Sequence, residues 1–328
     1  MKNPNVMPHR VRTVLALAFA AVSVGAVAQD YPARSVRMIV PFAAGGGSDL
    51  HARMLANALG KVWKHSPVIE NMGGAGGGVG AANVAKSTPD GYTILFVTHP
   101  ILAINPALYK SLAYDPEKDF IGVVKLGETA NILTVNAASG PKSVPELIRR
   151  AKDKPGTLNF GTGGAGTTQH LSAELFKHMA DVDIVHVPFK GGALATAALM
   201  GGSEVHIQFN SAYAAMKSIQ TGKLRGLAVT SKKRMPVLPD MPTMSEFLDG
   251  YEAVLGYGIV VPTGTPAEIV SSLNRDINKV LAQPDYKREM EKRVIYLDGG
   301  TPEQFRGWLV EERKKWGELI RRLGLSIG

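Results

Sequence analysis

The segment VPFAAGGGSDLHARMLANAL, residues 40–59, decides how this chain is read. A short apolar run, Val36-Arg37-Met38-Ile39-Val40, reads as a strand. It meets Pro41, then three glycines, then a helical pattern with Leu50, Met54, Leu55 and Leu59 on one face. A strand that feeds a glycine loop and a helix start can hold an anion on backbone N–H groups. The segment LNFGTGGAGTTQHLSAELF, residues 158–176, repeats the same order. Two such units predict two domains, each offering a helix N-terminus. Ligands of open α/β sheets sit beyond the carboxyl ends of the strands, so facing loops would enclose one cleft.

Working outward, strand and helix patterns alternate along all 328 residues, which predicts an α/β protein with largely parallel sheets. Strands are expected at 36–42, 67–70, 93–97, 131–135, 157–160, 184–187, 204–209, 224–229, 256–261 and 294–297, with helices between most of them. Capping boxes are expected at SVPE 143–146, TMSE 243–246, TPAE 265–268 and TPEQ 301–304. The last helix carries an apolar stripe of Phe305, Trp308, Leu309, Trp316, Leu319, Ile320 and Leu323.

The first 28 residues differ from the rest. A basic stretch without acids precedes the small, apolar run TVLALAFAAVSVGAVA, which ends in A-x-A at 26–28. The run is shorter than the ~20 residues a spanning helix needs. It reads as a secretory signal cleaved between Ala28 and Gln29. Removing Lys2, Arg10 and Arg12 lowers the formal charge of +9 by three. The chain has no cysteine, which excludes a disulfide framework and a lipid anchor on an N-terminal cysteine. Its basic residues are scattered, without the stripe and aromatic platforms of a nucleic-acid site.

The enzyme readings are weak. G-x-G-x-x-G occurs at Gly161–Gly166, between an expected strand and helix. The ribose-binding acid should end the next strand, yet that strand ends Pro188-Phe189-Lys190, and Asp181 and Asp183 precede it. There is no phosphate loop with its lysine and no G-x-S-x-G elbow. Ser48, Asp49 and His51 are close in sequence, but neighbours on one helix turn point apart, so Ser48 or Asp49 is expected to cap the helix. His170, Glu174 and His178 share one helix face without the H-E-x-x-H spacing of a metal site. No cofactor and no metal is expected.

Seven ordered motifs carry a resemblance: YPARSVRMIVPFAAGGGSDLHARMLA (31–56), VIENMGGAGGGVGAANVAKSTPDGYTILF (68–96), INPALYKSLAYDPEKDF (104–120), HLSAELFK (170–177), VHVPFKGGALATAALMGG (185–202), GKLRGLAVTSKKRMPVLPDMPTMSE (222–246) and VPTGTPAEIVSSLN (261–274). Together the chain resembles the solute-binding proteins of tripartite tricarboxylate transporters, the Bug family. The resemblance implies a two-lobed α/β periplasmic binding protein of the type II, flytrap-like kind, with its ligand cleft between the lobes. Lobe one would hold 29–130 and 250–328, lobe two 131–249.

Such a protein would capture a small organic anion, a carboxylate, as a monomer in the periplasm. It would pass the anion to integral membrane subunits and catalyse nothing. A dinucleotide enzyme and a ligand sensor on the same scaffold are the alternatives. The family's ligand loops map onto Phe42, Ala43, Ala44, Gly45 and Gly46, with Ser48 and Asp49 at the helix start, then Thr98 and His99. In lobe two they map onto Thr162, Gly163, Gly164, Gly166, Thr167 and Thr168, with His170 behind them, and onto Asn210 and Ser211. Three departures stand out: Asn210 where the family often has Asp, ENMGGAGGG for ENRPGAGG, and Tyr257 where tryptophan is common. An Asn at 210 points to a ligand without an amino group.

Overall fold

The structure, a computed structural model, describes residues 31–189, 191–202 and 204–327. The expected leader and its cleavage point lie outside the described residues. Among the described residues ten strands join one sheet, eight of them in the order β2 (Val68–Asn71), β1 (Arg37–Val40), β3 (Thr93–Thr98), β9 (Val254–Pro262), β4 (Phe120–Asn136), β7 (Ile207–Ser211), β5 (Asn159–Thr162) and β6 (Val185–Pro188). Two further strands, β8 (Leu224–Val229) and β10 (Tyr296–Leu297), pair with β4. The outer groups β2-β1-β3 and β6-β5-β7 are parallel, whereas β4 and β9 run antiparallel to their neighbours.

Strand β4 explains the two halves. Over 17 residues it pairs with β9 from Phe120 to Ala130 and with β7 and β8 from Asn131 to Asn136. Sequence reading located only 131–135. In the first part, Gly122 and Gly127 flank register shifts and break the alternation. Gly127 has φ +151°, and a Cβ there would strike the Tyr296 carbonyl, so a side chain is excluded.

Helices pack on both faces: α1 (Gly47–Val62), α2 (Gly78–Ala85), the short α3 (Asn105–Leu108), α4 (Val144–Asp153), α5 (Thr168–Ala180), α6 (Gly192–Gly201), α7 (Ala212–Gln220), α8 (Ala267–Leu281), α9 (Pro284–Glu291) and α10 (Pro302–Arg322). One core gathers Met38, Leu55, Phe96, Ile259 and Ile277; another gathers Leu133, Phe160, Phe176 and Phe209. Helix α10 belongs to both halves. Phe305 and Leu309 pack beside Phe120 and Val260, while Trp316, Leu319 and Ile320 enter the core with Phe160. The amphipathic stripe read from the sequence is therefore one helix bridging two cores.

Capping boxes close the starts of α10, at Thr301 and Gln304, and of the 3₁₀ turn after Thr243. Ser143 caps α4 by accepting the Glu146 N–H at 3.3 Å. Two expectations need correction. Thr265 does not cap α8; its hydroxyl donates to the Pro262 carbonyl, and Pro266 occupies the N-cap. Neither Ser48 nor Asp49 is the N-cap of α1, which is Gly46. Asp49 instead reaches back one turn to accept the Gly45 N–H at 2.8 Å.

Candidate ligand cleft

Strand β1 turns through residues 41–46 into α1, and β5 turns through 163–167 into α5. The second turn is held from below. Thr167 caps α5 by accepting the His170 N–H at 3.3 Å and donates to the Gly164 carbonyl at 2.8 Å. Gly166 has φ +76°, and a Cβ there would lie 2.6 Å from Leu108 Cδ2. Only glycine fits, because the conformation is left-handed and the neighbouring wall is close.

A cavity of about 250 Å³ opens where these two helix starts converge. Phe42 and Ser48 line it from the first turn, and Gly166, Thr167 and Thr168 from the second. Thr98, at the end of β3, adds a wall although it is only 2% exposed. Thus six of the residues expected from sequence come together. The others do not line the cavity. Ala43, Ala44, Gly45 and Gly46 are exposed on the turn, Gly163 and Gly164 are half-buried, and Ser211 is half-buried at the end of β7.

Five expected residues are buried in supporting contacts. The Asp49 carboxylate accepts from Gly45 N–H, Arg53 and Asn71 at 2.8–2.9 Å, which locks the first turn to β2. Thr162 Oγ1 lies 2.7 Å from His186 Nε2. Asn210 donates to Thr196 Oγ1 at 3.1 Å. His170 accepts the Gly166 N–H on Nδ1 at 3.2 Å and stacks on His186 with ring centres 4.2 Å apart. Burial, with His186 and Lys177 nearby, pushes the His170 pKa down to about 4, so the ring is neutral and can accept that bond. His99 is 1% exposed and points away from the cavity; burial, aided by Lys315 and Lys125 and opposed by Glu312, lowers its pKa to about 4.

Sequence reading missed much of the wall. Pro100, Asn105, Leu108 and Tyr109 come from the segment after β3, where a π-helical turn over Pro100–Ile104 breaks the usual helical spacing. Gly76, Ala165 and Leu255 complete the lining. The apolar run between Pro100 and Pro106 was the available signal. Tyr257, by contrast, is not at the rim. It lies in the first core, its ring 4.9 Å from that of His51. Gly73 does abut the first turn, where a Cβ would sit 3.6 Å from the Ala43 nitrogen.

The chemistry of the lining is uniform. Five hydroxyl-bearing residues and several apolar ones surround the space, and among the described residues no charged side chain lines it. The volume lies just below the ~300–1,000 Å³ of drug-sized ligand sites, which suits a small metabolite. Two α/β halves joined through β4, with one cavity between their helix starts, define a two-lobed solute-binding protein. The chain belongs to the tripartite tricarboxylate transporter receptor family, whose model matches residues 51–325.

Among solved structures it is similar to R. palustris Rpa4515 with adipate, at 35% identity over 91% of this chain and 100% of that one, TM-score 0.80. It is also similar to the periplasmic binding protein BugD, at 31% identity over 90% and 100%, TM-score 0.76. MatC from Rhodopseudomonas palustris with bound malate matches at 31% identity over 88% and 100%, TM-score 0.75. The family is one of transport receptors, so the chain is a binding protein and not an enzyme, and the dinucleotide alternative falls away. The Gly161–Gly166 pattern instead builds the turn that presents Gly166, Thr167 and Thr168.

Proposed function

We propose that this protein captures a small carboxylate lacking an ammonium group and delivers it, as a monomer, to the membrane subunits of a tripartite transporter. Its signal segment would be cleaved between Ala28 and Gln29, releasing it into the periplasm. The observation that carries the ligand class is the cavity between the starts of α1 and α5, lined by hydroxyls and, among the described residues, by no charged side chain. Each helix start offers roughly 0.3–1 kcal/mol to an anion when exposed and up to ~2 when partly buried. An ammonium group would find no carboxylate partner there, because the Asp49 carboxylate is taken up by Gly45, Arg53 and Asn71.

Ligand contacts would come from Ser48, Thr98, Thr167 and Thr168, with Phe42, Leu108 and Leu255 against the carbon chain. The adipate and malate held by two relatives agree with this class. A thermal-shift screen of residues 29–328 against carboxylates, amino acids and nicotinamide cofactors tests it. A ligand at a hundred-fold excess over Kd adds about 2.7 kcal/mol of stability. A shift with a carboxylate supports the reading, and a shift with amino acids or nucleotides alone overturns it.

A further inference from the structure

His99 stands between two cavity-lining residues, Thr98 and Pro100, yet its ring turns away from the cavity. Its Nδ1 accepts the Gly256 N–H at 3.0 Å. Gly256 follows Leu255, which lines the cavity from β9. The ring therefore ties together two walls that come from segments about 157 residues apart in the chain. Accepting at Nδ1 places the proton of a neutral ring on Nε2, which lies 3.5 Å from Glu312 Oε2 but makes no hydrogen bond to any described residue.

Glu312 is itself buried, fixed by Trp316 Nε1 at 2.7 Å and by Lys315. It sits on α10 between the segment packed in one core and the segment packed in the other. Trp308, one turn earlier, lays its ring against Gly256 and edge-on to His99, with ring centres 5.4 Å apart. The Gly256 N–H thus has Trp308, not solvent, beside its bond to His99.

We propose that His99 is a positioning residue of the ligand cavity, whose Nδ1 sets the Thr98–Pro100 wall against Leu255 while the nearby Glu312 charge favours the tautomer that carries its proton on Nε2. The role of the cavity rests on the proposed function; the tie between the walls does not. His99 touches no ligand in this account, and it differs in this from the residues of the glycine turns.

Three variants separate the two ring nitrogens. His99→Asn keeps an acceptor where Nδ1 stands, His99→Gln keeps a polar group only toward Glu312, and His99→Leu keeps neither. Amide hydrogen exchange of the ligand-free protein reads the tie directly at Gly256. Expected is wild-type-like protection in His99→Asn and at least tenfold faster exchange in His99→Gln and His99→Leu. Amides of α8 serve as the control for a general loss of stability and should change less than twofold.

Calorimetry with adipate as the probe should show affinity within threefold of wild type for His99→Asn. For the other two it should be at least tenfold weaker. Gly256 exchange unchanged in all three, equal in Asn and Gln, or matched by α8 would overturn the proposal. So would affinities for Asn and Gln that fall together. If the wild type binds no carboxylate, the proposed function fails, and the exchange pattern alone decides the positioning role.

Discussion

The Asn131 N–H donates to Thr230 Oγ1 at 2.8 Å, and the Thr230 N–H returns to the Asn131 carbonyl at 2.9 Å. This exchange sits where β4 leaves its pairing with β9 and joins β7 and β8. Thr230 also bonds Ala253 in both directions, through its hydroxyl at 2.6 Å and its carbonyl at 2.9 Å. The chain crossings at β4 and just before β9 are therefore pinned by one threonine, while α10 makes a further crossing. Thr230→Val keeps the shape and removes the hydroxyl, leaving the buried Asn131 N–H without a partner. A loss of about 1–3 kcal/mol is expected in a denaturant titration. A loss under a few tenths would show that the hydroxyl is not a pin.

Acid should weaken the fold through its buried histidines. His51 is 1% exposed, neither ring nitrogen has a hydrogen-bond partner among the described residues, and burial with Arg293 nearby pushes its pKa down to about 3. His99 is lowered to about 4, with Glu312, Lys315 and Lys125 facing it. An unfolded chain takes up these protons near pH 6.5, whereas the folded chain resists them. Stability is thus fully present above about pH 6.5 and declines as pH falls toward 4 and then 3.

His51→Leu, of similar size, removes one such group from between Phe96 and Tyr257. It should raise the melting temperature at pH 7 and flatten the acid decline. An unchanged pH slope would show that His51 does not titrate on unfolding as described.

Gly166 is the tightest point of the second turn. Gly166→Ala meets both the positive φ and Leu108, so a loss of roughly 1–3 kcal/mol is expected. The same change displaces the Gly166 N–H that His170 accepts, and carboxylate affinity should fall with it. Calorimetry beside a thermal melt checks both. Full affinity in a destabilised variant would place the ligand away from this turn.

Much of this was legible in the sequence because the physics is local. The ten strands and both strand–glycine–helix units follow from apolar runs and glycine punctuation. The first part of β4 was not, since Lys125 and Glu128 sit in the strand as a half-buried ion pair and glycines interrupt its alternation. At the cavity, glycine turns marked two of its walls but not which residues line it. Thr98 and His99 are adjacent, yet one lines the cavity and the other ties Gly256 behind it. That choice depends on α10 and β9, more than 150 residues away. Leu255 reads as an ordinary core residue for the same reason.

Titration calorimetry of residues 29–328 with adipate, malate and glutamate, one at a time, tests the central claim most directly. One site per chain is expected for a carboxylate without an ammonium group, with glutamate at least tenfold weaker than the best of the others. Glutamate binding most tightly, or no carboxylate binding at all, would contradict it.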